Sequence, residues 1–235
     1  MVLVKAYVAG KPILSTTDWP SNVCCVVFFA GCNLRCRFCF NTPLLEFDEK
    51  FHVDLDQIYQ EIEASRFLID GVLVTGGEPT LQHDSLRAIA QWTHEQNLMF
   101  GLMTNGTKPS IIQQLLDANL IDYIAVDIKT VPNTTEYAQI TQIKQEILTE
   151  IKKTIAILKS SNVRYEFRTT LVPSLVHHET QLRKILDWVG PNHYVLQAFR
   201  PTDTVLDPKL NASFSNEELD KFRKFAHENN LVTRF

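Results

Sequence analysis

The sequence predicts an α/β fold built on a parallel sheet, and three features carry that expectation. Short β-branched runs, nearly continuous in apolar residues, recur along the chain, as strands covered on both faces do. Longer stretches of helical periodicity lie between them. No internal repeat, low-complexity tract or long Gly/Ser/Pro linker breaks the alternation. A single domain over residues 1–235 is therefore expected, with a core at about 24–200 and a C-terminal helix at 215–230.

The expected strands are residues 26–30, 72–75, 99–104, 123–128, 164–171 and 193–198. The first expected helix, 55–67, starts behind Asp54 with Gln57 three residues on, a capping-box-like opening. Helices follow at 85–96 and at 111–118, just behind Pro109. Residues 143–159 place Ile143, Ile147, Ile151, Ile155 and Leu158 on one face. Another helix is expected at 180–189. Ser215 with Glu218 forms a capping box for a last helix that turns Leu219, Phe222 and Phe225 inward. Residues 1–18 add a peripheral strand or hairpin.

Six such units imply right-handed βαβ crossovers. A full barrel has eight strands and takes about 250 residues, so a partial barrel and an open doubly wound sheet both fit. Either form places ligands at the C-terminal strand ends, hence on the loops after Ala30, Thr75, Thr104, Ile128, Leu171 and Ala198.

Composition narrows the function. The chain has 235 residues, 45% hydrophobic and 21% charged, with net charge −4. An acidic balance argues against nucleic-acid binding, which draws on clustered Lys and Arg. No apolar run approaches the ~20 residues of a membrane span. The N-terminus lacks the order of charge, long apolar region and cleavage site of a signal peptide, so a cytoplasmic location is expected. The five cysteines, Cys24, Cys25, Cys32, Cys36 and Cys39, fall within sixteen residues. A disulfide framework would spread them, so the cluster reads as a metal or cofactor site in a reducing compartment.

Cys32, Cys36 and Cys39 follow the first core strand with the spacing C-x3-C-x2-C. Structural zinc usually takes four ligands, and His52 or His83 could supply a fourth. A [4Fe–4S] cluster normally takes four thiolates. Three thiolates leave one iron open, and an open metal position marks chemistry. The bland alternative is a loop of unrelated buried cysteines. A second motif, Thr75-Gly76-Gly77-Glu78-Pro79, ends the next strand. Its glycines let backbone approach a ligand closely, and carbonyls beside a carboxylate suit an ammonium group. Asn105, Asp127, Lys129, Arg168 and Gln197 sit in or at the ends of the later strands. Asn105 reads equally as a turn cap, and Asp127 with Lys129 as a plain ion pair.

The cysteine motif, with aromatic Phe38 before its last cysteine, resembles that of the radical S-adenosylmethionine (SAM) enzymes. The resemblance implies a partial (β/α)6 barrel and a [4Fe–4S] cluster on Cys32, Cys36 and Cys39. It implies that SAM chelates the fourth iron through its amino and carboxylate groups. An electron from the reduced cluster then breaks the sulfonium bond and yields a 5′-deoxyadenosyl radical. Phe38 matches the residue packed near the adenine, and Gly76, Gly77 and Glu78 match the motif that holds the SAM amino group.

Thr17-Asp18-Trp19-Pro20-Ser21, the Val-Phe strand after it and Asp127-Ile128-Lys129 look like the glycyl-radical enzyme activating proteins. Chain length and the Leu171-Val172-Pro173 and Leu196-Gln197-Ala198-Phe199 segments are similar to the type that activates anaerobic ribonucleotide reductase. That implies a glycyl-radical enzyme as partner and a flavodoxin- or ferredoxin-like electron donor. Three departures stand out. Phe40 replaces the usual His, Ser21 replaces the usual Gly, and Met103 stands where the pyruvate formate-lyase type has an Asp of a cation site. Cys24 and Cys25, just before the strand, point to opposite faces and read as buried hydrophobes. A radical SAM enzyme acting on a small molecule, such as 7-carboxy-7-deazaguanine synthase, is the first alternative, although its cluster loop usually has a longer first spacing. A peptide-modifying radical enzyme and a non-enzymatic Fe–S or zinc module are more distant.

Overall fold

The structure is a computed structural model that describes residues 5–143 and 147–235. Its elements run β1 (Lys5–Tyr7), β2 (Ile13–Ser15), β3 (Cys24–Phe29), β4 (His52–Asp54), α1 (Leu55–Glu63), β5 (Gly71–Gly76), α2 (His83–Glu95) and β6 (Met99–Thr104). They continue α3 (Pro109–Asp117), β7 (Tyr123–Asp127), α4 (Thr134–Thr141), α5 (Leu148–Lys159), β8 (Arg164–Leu171), α6 (Glu179–Val189), β9 (Tyr194–Ala198), α7 (Asn216–Glu228) and β10 (Val232–Arg234).

One sheet carries the order β10-β9-β8-β7-β6-β5-β3-β2. Every pairing is parallel except that of the edge strand β2 with β3. Among the described residues the two edges do not pair with each other, so the sheet does not close. The six expected core strands are all present, and the partial (β/α)6 architecture holds.

The inner face is filled at its lower half by the segment before β3. Trp19 is buried with Cys24, Val26, Leu73, Tyr123 and Ala125, and its indole stacks on Tyr123 at 5.2 Å. Glycines make that fit possible. A β-carbon on Gly101 would come within 2.8 Å of the Trp19 ring, and one on Gly71 within 2.9 Å. The outer face packs against the helices through a larger apolar cluster that includes Cys25, Val72, Phe100 and Phe167. The C-terminal half of the inner face is left free for a cavity.

Several expected bounds change. β3 begins at Cys24, because Cys24 pairs with both Ser15 and Gly71. Cys24 and Cys25 are thus inside the strand rather than before it, and they join opposite apolar clusters as parity requires. α1 stops at Glu63, since its stripe of Leu55, Ile58 and Ile62 would continue onto Ser65 and Arg66. Residues 66–68 form a separate 3₁₀ turn with Phe67 98% exposed. Asp54 makes no side-chain capping bond. The expected helix 143–159 begins only at Leu148, and residues 144–146 lie outside the described residues. α4 was not anticipated; Asn133 caps it by accepting from the Glu136 amide. In α7 the capping box of Ser215 and Glu218 is present, but Leu219 is half-buried, and Phe222, Phe225 and Ala226 form the inward stripe. The N-terminal strands make no hairpin: β1 pairs with β4 and β2 joins the main sheet. β10, unanticipated, adds a parallel edge beside β9.

Candidate active site

A cavity of about 460 Å³ opens at the C-terminal ends of the strands. Cys32, Cys36, Phe38, Cys39, Gly76, Gly77, Asn105, Asp127, Lys129, Arg168 and Gln197 all line it. Of the residues singled out for the cluster and SAM, only Glu78 does not.

The cysteine loop is held by its backbone. Gly31, at φ +85°, lets the Phe47 ring lie where a β-carbon would stand. The amides of Gly31 and Cys32 donate to Leu44 and Leu45, and those of Arg35 and Arg37 donate to the Thr141 and Ile140 carbonyls at the C-terminal end of α4. The Arg35 guanidinium donates to the carbonyls of Cys32 and Leu34. With the backbone so engaged, all three thiols are left lining one cavity. Burial pushes the Cys32 thiol up to about 12 and Cys36 to about 11, and raises Cys39. Metal binding must therefore expel protons from these thiols.

The donor set can be tested against the two metal readings. Neither His52 nor His83 lines the cavity, so neither supplies a fourth zinc ligand there. Among the described residues no three Cys, His, Asp or Glu side chains surround a single ion position. A cubane offers a separate iron to each thiolate, so its ligand sulfurs stand further apart than those around one ion. Three thiols around one cavity, Cys36 buried and Cys32 and Cys39 half-buried, fit that group.

The Gly76–Gly77 turn packs directly on the cysteine loop. A β-carbon on Gly76 would meet the Phe29 carbonyl at 2.3 Å, and one on Gly77 the Gly31 carbonyl at 2.3 Å. Glu78 is fully buried, and its carboxylate accepts from the Thr80 amide and hydroxyl, the Thr104 hydroxyl and the Asn105 amide. Burial pushes this carboxyl up, against the pull of those donors. Both Glu78 oxygens accept from donors inside the protein, three bonds falling on Oε1 and one on Oε2, and Glu78 does not line the cavity. The backbone of Gly76 and Gly77 is what reaches the cavity.

Asp127 and Lys129 form an ion pair at 2.7 Å, and the ammonium lies 5.7 Å from the Phe38 ring centroid. Burial works against that ammonium, but Asp127 and Cys36 hold its pKa above the ordinary value. Asn105 caps a turn at the cavity wall. Its Oδ1 accepts from the Thr107 amide and hydroxyl, its Nδ2 donates to Asn33, and it lines the cavity. Arg168 donates to Glu166, the Tyr123 hydroxyl and the Asp18 carbonyl, with Nη1 3.6 Å from the Met103 sulfur. A guanidinium beside Met103 opposes any cation there.

Sequence reading missed several members. Asp18, Phe40, Thr170 and Arg200 also line the cavity. Thr170 was findable, since it shares the inward face of β8 with Arg168 at a spacing of two. Glu166, bonded to Arg168, Tyr123 and Arg234, shares that parity as well. Asn33 and Gln82 carried no local signal; Gln82 joins Tyr7 to the Ala30 carbonyl.

Residues 26–189 match the model of the radical SAM superfamily. A Methanocaldococcus jannaschii protein provisionally named a glycyl-radical enzyme activating enzyme is 34% identical, over 98% of this chain and 97% of its own length. The 7-carboxy-7-deazaguanine synthase of Thermococcus kodakarensis is 26% identical, over 85% of this chain and 79% of its own. The fold is similar to that of a radical SAM methyltransferase from Sphaerobacter thermophilus, with TM-score 0.70 and 14% identity over 94% of this chain and 67% of that one. Three thiols around one strand-end cavity, the neighbouring glycine turn and these matches converge: the chain belongs to the radical SAM superfamily, whose members use a [4Fe–4S] cluster and SAM.

Proposed function

We propose that this enzyme activates a glycyl-radical enzyme, most specifically an anaerobic ribonucleotide reductase, by removing a hydrogen atom from a glycine of that partner. The observation that carries this reading is the full-length similarity to the Methanocaldococcus jannaschii relative. The unclosed sheet supports it, since a macromolecular substrate needs a side entrance. In this reading Cys32, Cys36 and Cys39 hold the cluster and leave one iron for SAM. The Gly76 and Gly77 backbone takes the methionyl ammonium, and Phe38 packs by the adenine. Asn105, Asp127, Lys129, Arg168 and Gln197 supply the polar walls. The cofactors supply a carbon-centred radical. The chain's own residues bind SAM, fix its orientation and exclude water. A flavodoxin- or ferredoxin-like donor would supply the one electron, and the glycine hydrogen would end on 5′-deoxyadenosine, formed together with methionine from SAM. Residues 1–235 are taken as one such domain, acting in the cytoplasm; among the described residues no helix is long and apolar enough to cross a membrane.

Anaerobic reconstitution should load about four irons per chain. Cys36→Ala should abolish loading, and Cys25→Ala should not. The deciding experiment mixes reduced, loaded protein with SAM and a candidate reductase without oxygen. An EPR doublet from a glycyl radical on the partner is expected. The second reading, a synthase of the 7-carboxy-7-deazaguanine kind, is favoured by the Thermococcus kodakarensis match alone. Rapid turnover of a purine-like small molecule, with no protein radical, would select it.

A further inference from the structure

The loop between β9 and α7 crosses the cysteine loop, and nothing in the reaction outlined above uses it. Its contacts fall on the backbone around the last cysteine. The Leu206 amide donates to the Cys39 carbonyl at 2.9 Å, and the Asp207 amide to the Arg37 carbonyl at 2.9 Å. The Thr204 hydroxyl donates to the Phe40 carbonyl at 2.6 Å, and the Thr42 hydroxyl donates back to the Thr204 carbonyl at 2.8 Å. One side-chain pair locks the crossing: Arg37 Nε and Nη2 stand 2.9 and 2.8 Å from Asp207 Oδ2.

The opposite edge of the same loop is held by α4, through the Arg35 and Arg37 amides. Arg37 is therefore bonded on both sides, its amide to Ile140 and its carbonyl to Asp207. The two holds differ in strength. Ile140 and Thr141 are buried, whereas residues 202–204 are exposed and residues 205–207 only half-buried. Two half-buried backbone bonds and two exposed hydroxyl bonds are weak restraints, so the charge-assisted pair carries a large share of the hold.

We propose that residues 204–207 form a latch over the cysteine loop, and that Arg37 and Asp207 are positioning residues that keep Cys39 in place to hold its metal group. The latch governs how long iron is retained rather than whether it is first bound, because the α4 side of the loop is held without it. This inference rests on the three-thiol cluster assignment and not on the identity of the partner.

The test compares Arg37→Gln, Asp207→Asn and the double variant with wild type, each as the full chain. Anaerobically loaded protein is exposed to a ferrous chelator and iron release is followed. Metal-free protein is digested briefly with trypsin and cleavage after Lys209, at the end of the latch, is measured. Each single variant should release iron about five-fold faster and be cut after Lys209 about five-fold faster, with an unchanged melting temperature. The double variant should match the faster single one, since both changes break one contact. Release and cleavage at wild-type rates would overturn the latch, as would single effects that multiply in the double variant. If wild type bound no iron, the cluster assignment would fail, and cleavage after Lys209 would still decide the latch.

Discussion

Glu78 and Asn105 are joined across 2.7 Å by a bond from the Asn105 amide to Glu78 Oε2, which ties the end of β5 to the end of β6 beside the cavity. Asn105 passes the connection on to Asn33 of the cysteine loop. The glycine turn and the cysteine loop are thus parts of one hydrogen-bonded unit, and Glu78 is its buried centre.

Glu78→Gln should be costly for that reason. All four partners of the carboxylate donate, so the amide nitrogen would face a donor and leave it unpaired. A loss of about 1–3 kcal/mol is expected in denaturant unfolding. SAM affinity should fall several-fold as the Gly76–Gly77 turn loosens. An unchanged unfolding midpoint would remove Glu78 from the centre of the unit.

Glu166 gives a prediction in pH. Burial alone would raise its carboxyl pKa, but Arg234, Arg168 and Tyr123 outweigh burial and hold it below the ordinary value of 4.5. A carboxyl depressed in the folded state stabilises fully above its unfolded pKa, and that contribution fades as pH falls through the folded one. Wild type should exceed Glu166→Gln by about 1–3 kcal/mol at neutral pH, since the change unpairs the buried Arg168 guanidinium and the half-buried Arg234 one. The difference should shrink below about pH 4. Unfolding curves at a series of pH values check this, and a difference that grows in acid would refute it.

Ser21 has a φ of 65°, in the left-handed region that favours glycine. A non-glycine residue pays about 1–2 kcal/mol there. Ser21→Gly should raise the melting temperature by about 2–4 °C, the shift that ~1 kcal/mol gives in a chain of this size. A lower melting temperature would show that the serine side chain compensates.

The legible parts of the fold were those where one residue pattern had one physical cause. The core strands are continuous apolar runs because helices cover one face and Trp19 with its neighbours fills part of the other. The separation of Cys24 from Cys25 followed from strand parity alone. β10 was not legible, since Val232-Thr233-Arg234 is short and partly polar and is a strand only because β9 offers it an edge. α4 was missed because its buried residues, Tyr137, Ile140 and Thr141, make too brief a stripe. The internal bonds of Glu78 were not legible because its donors Thr104 and Asn105 arrive from another strand. The Glu166–Arg234 pair spans 68 positions, which no local pattern reveals.

The most direct test of the proposed reaction follows the hydrogen atom. The candidate reductase is prepared with glycine deuterated at its α-carbon and mixed anaerobically with reduced, iron-loaded protein and SAM. The 5′-deoxyadenosine formed is then analysed by mass spectrometry. Transfer from the partner's glycine predicts 5′-deoxyadenosine carrying one deuterium, in step with the EPR doublet. Unlabelled 5′-deoxyadenosine, formed at the same rate with or without the partner, would contradict it.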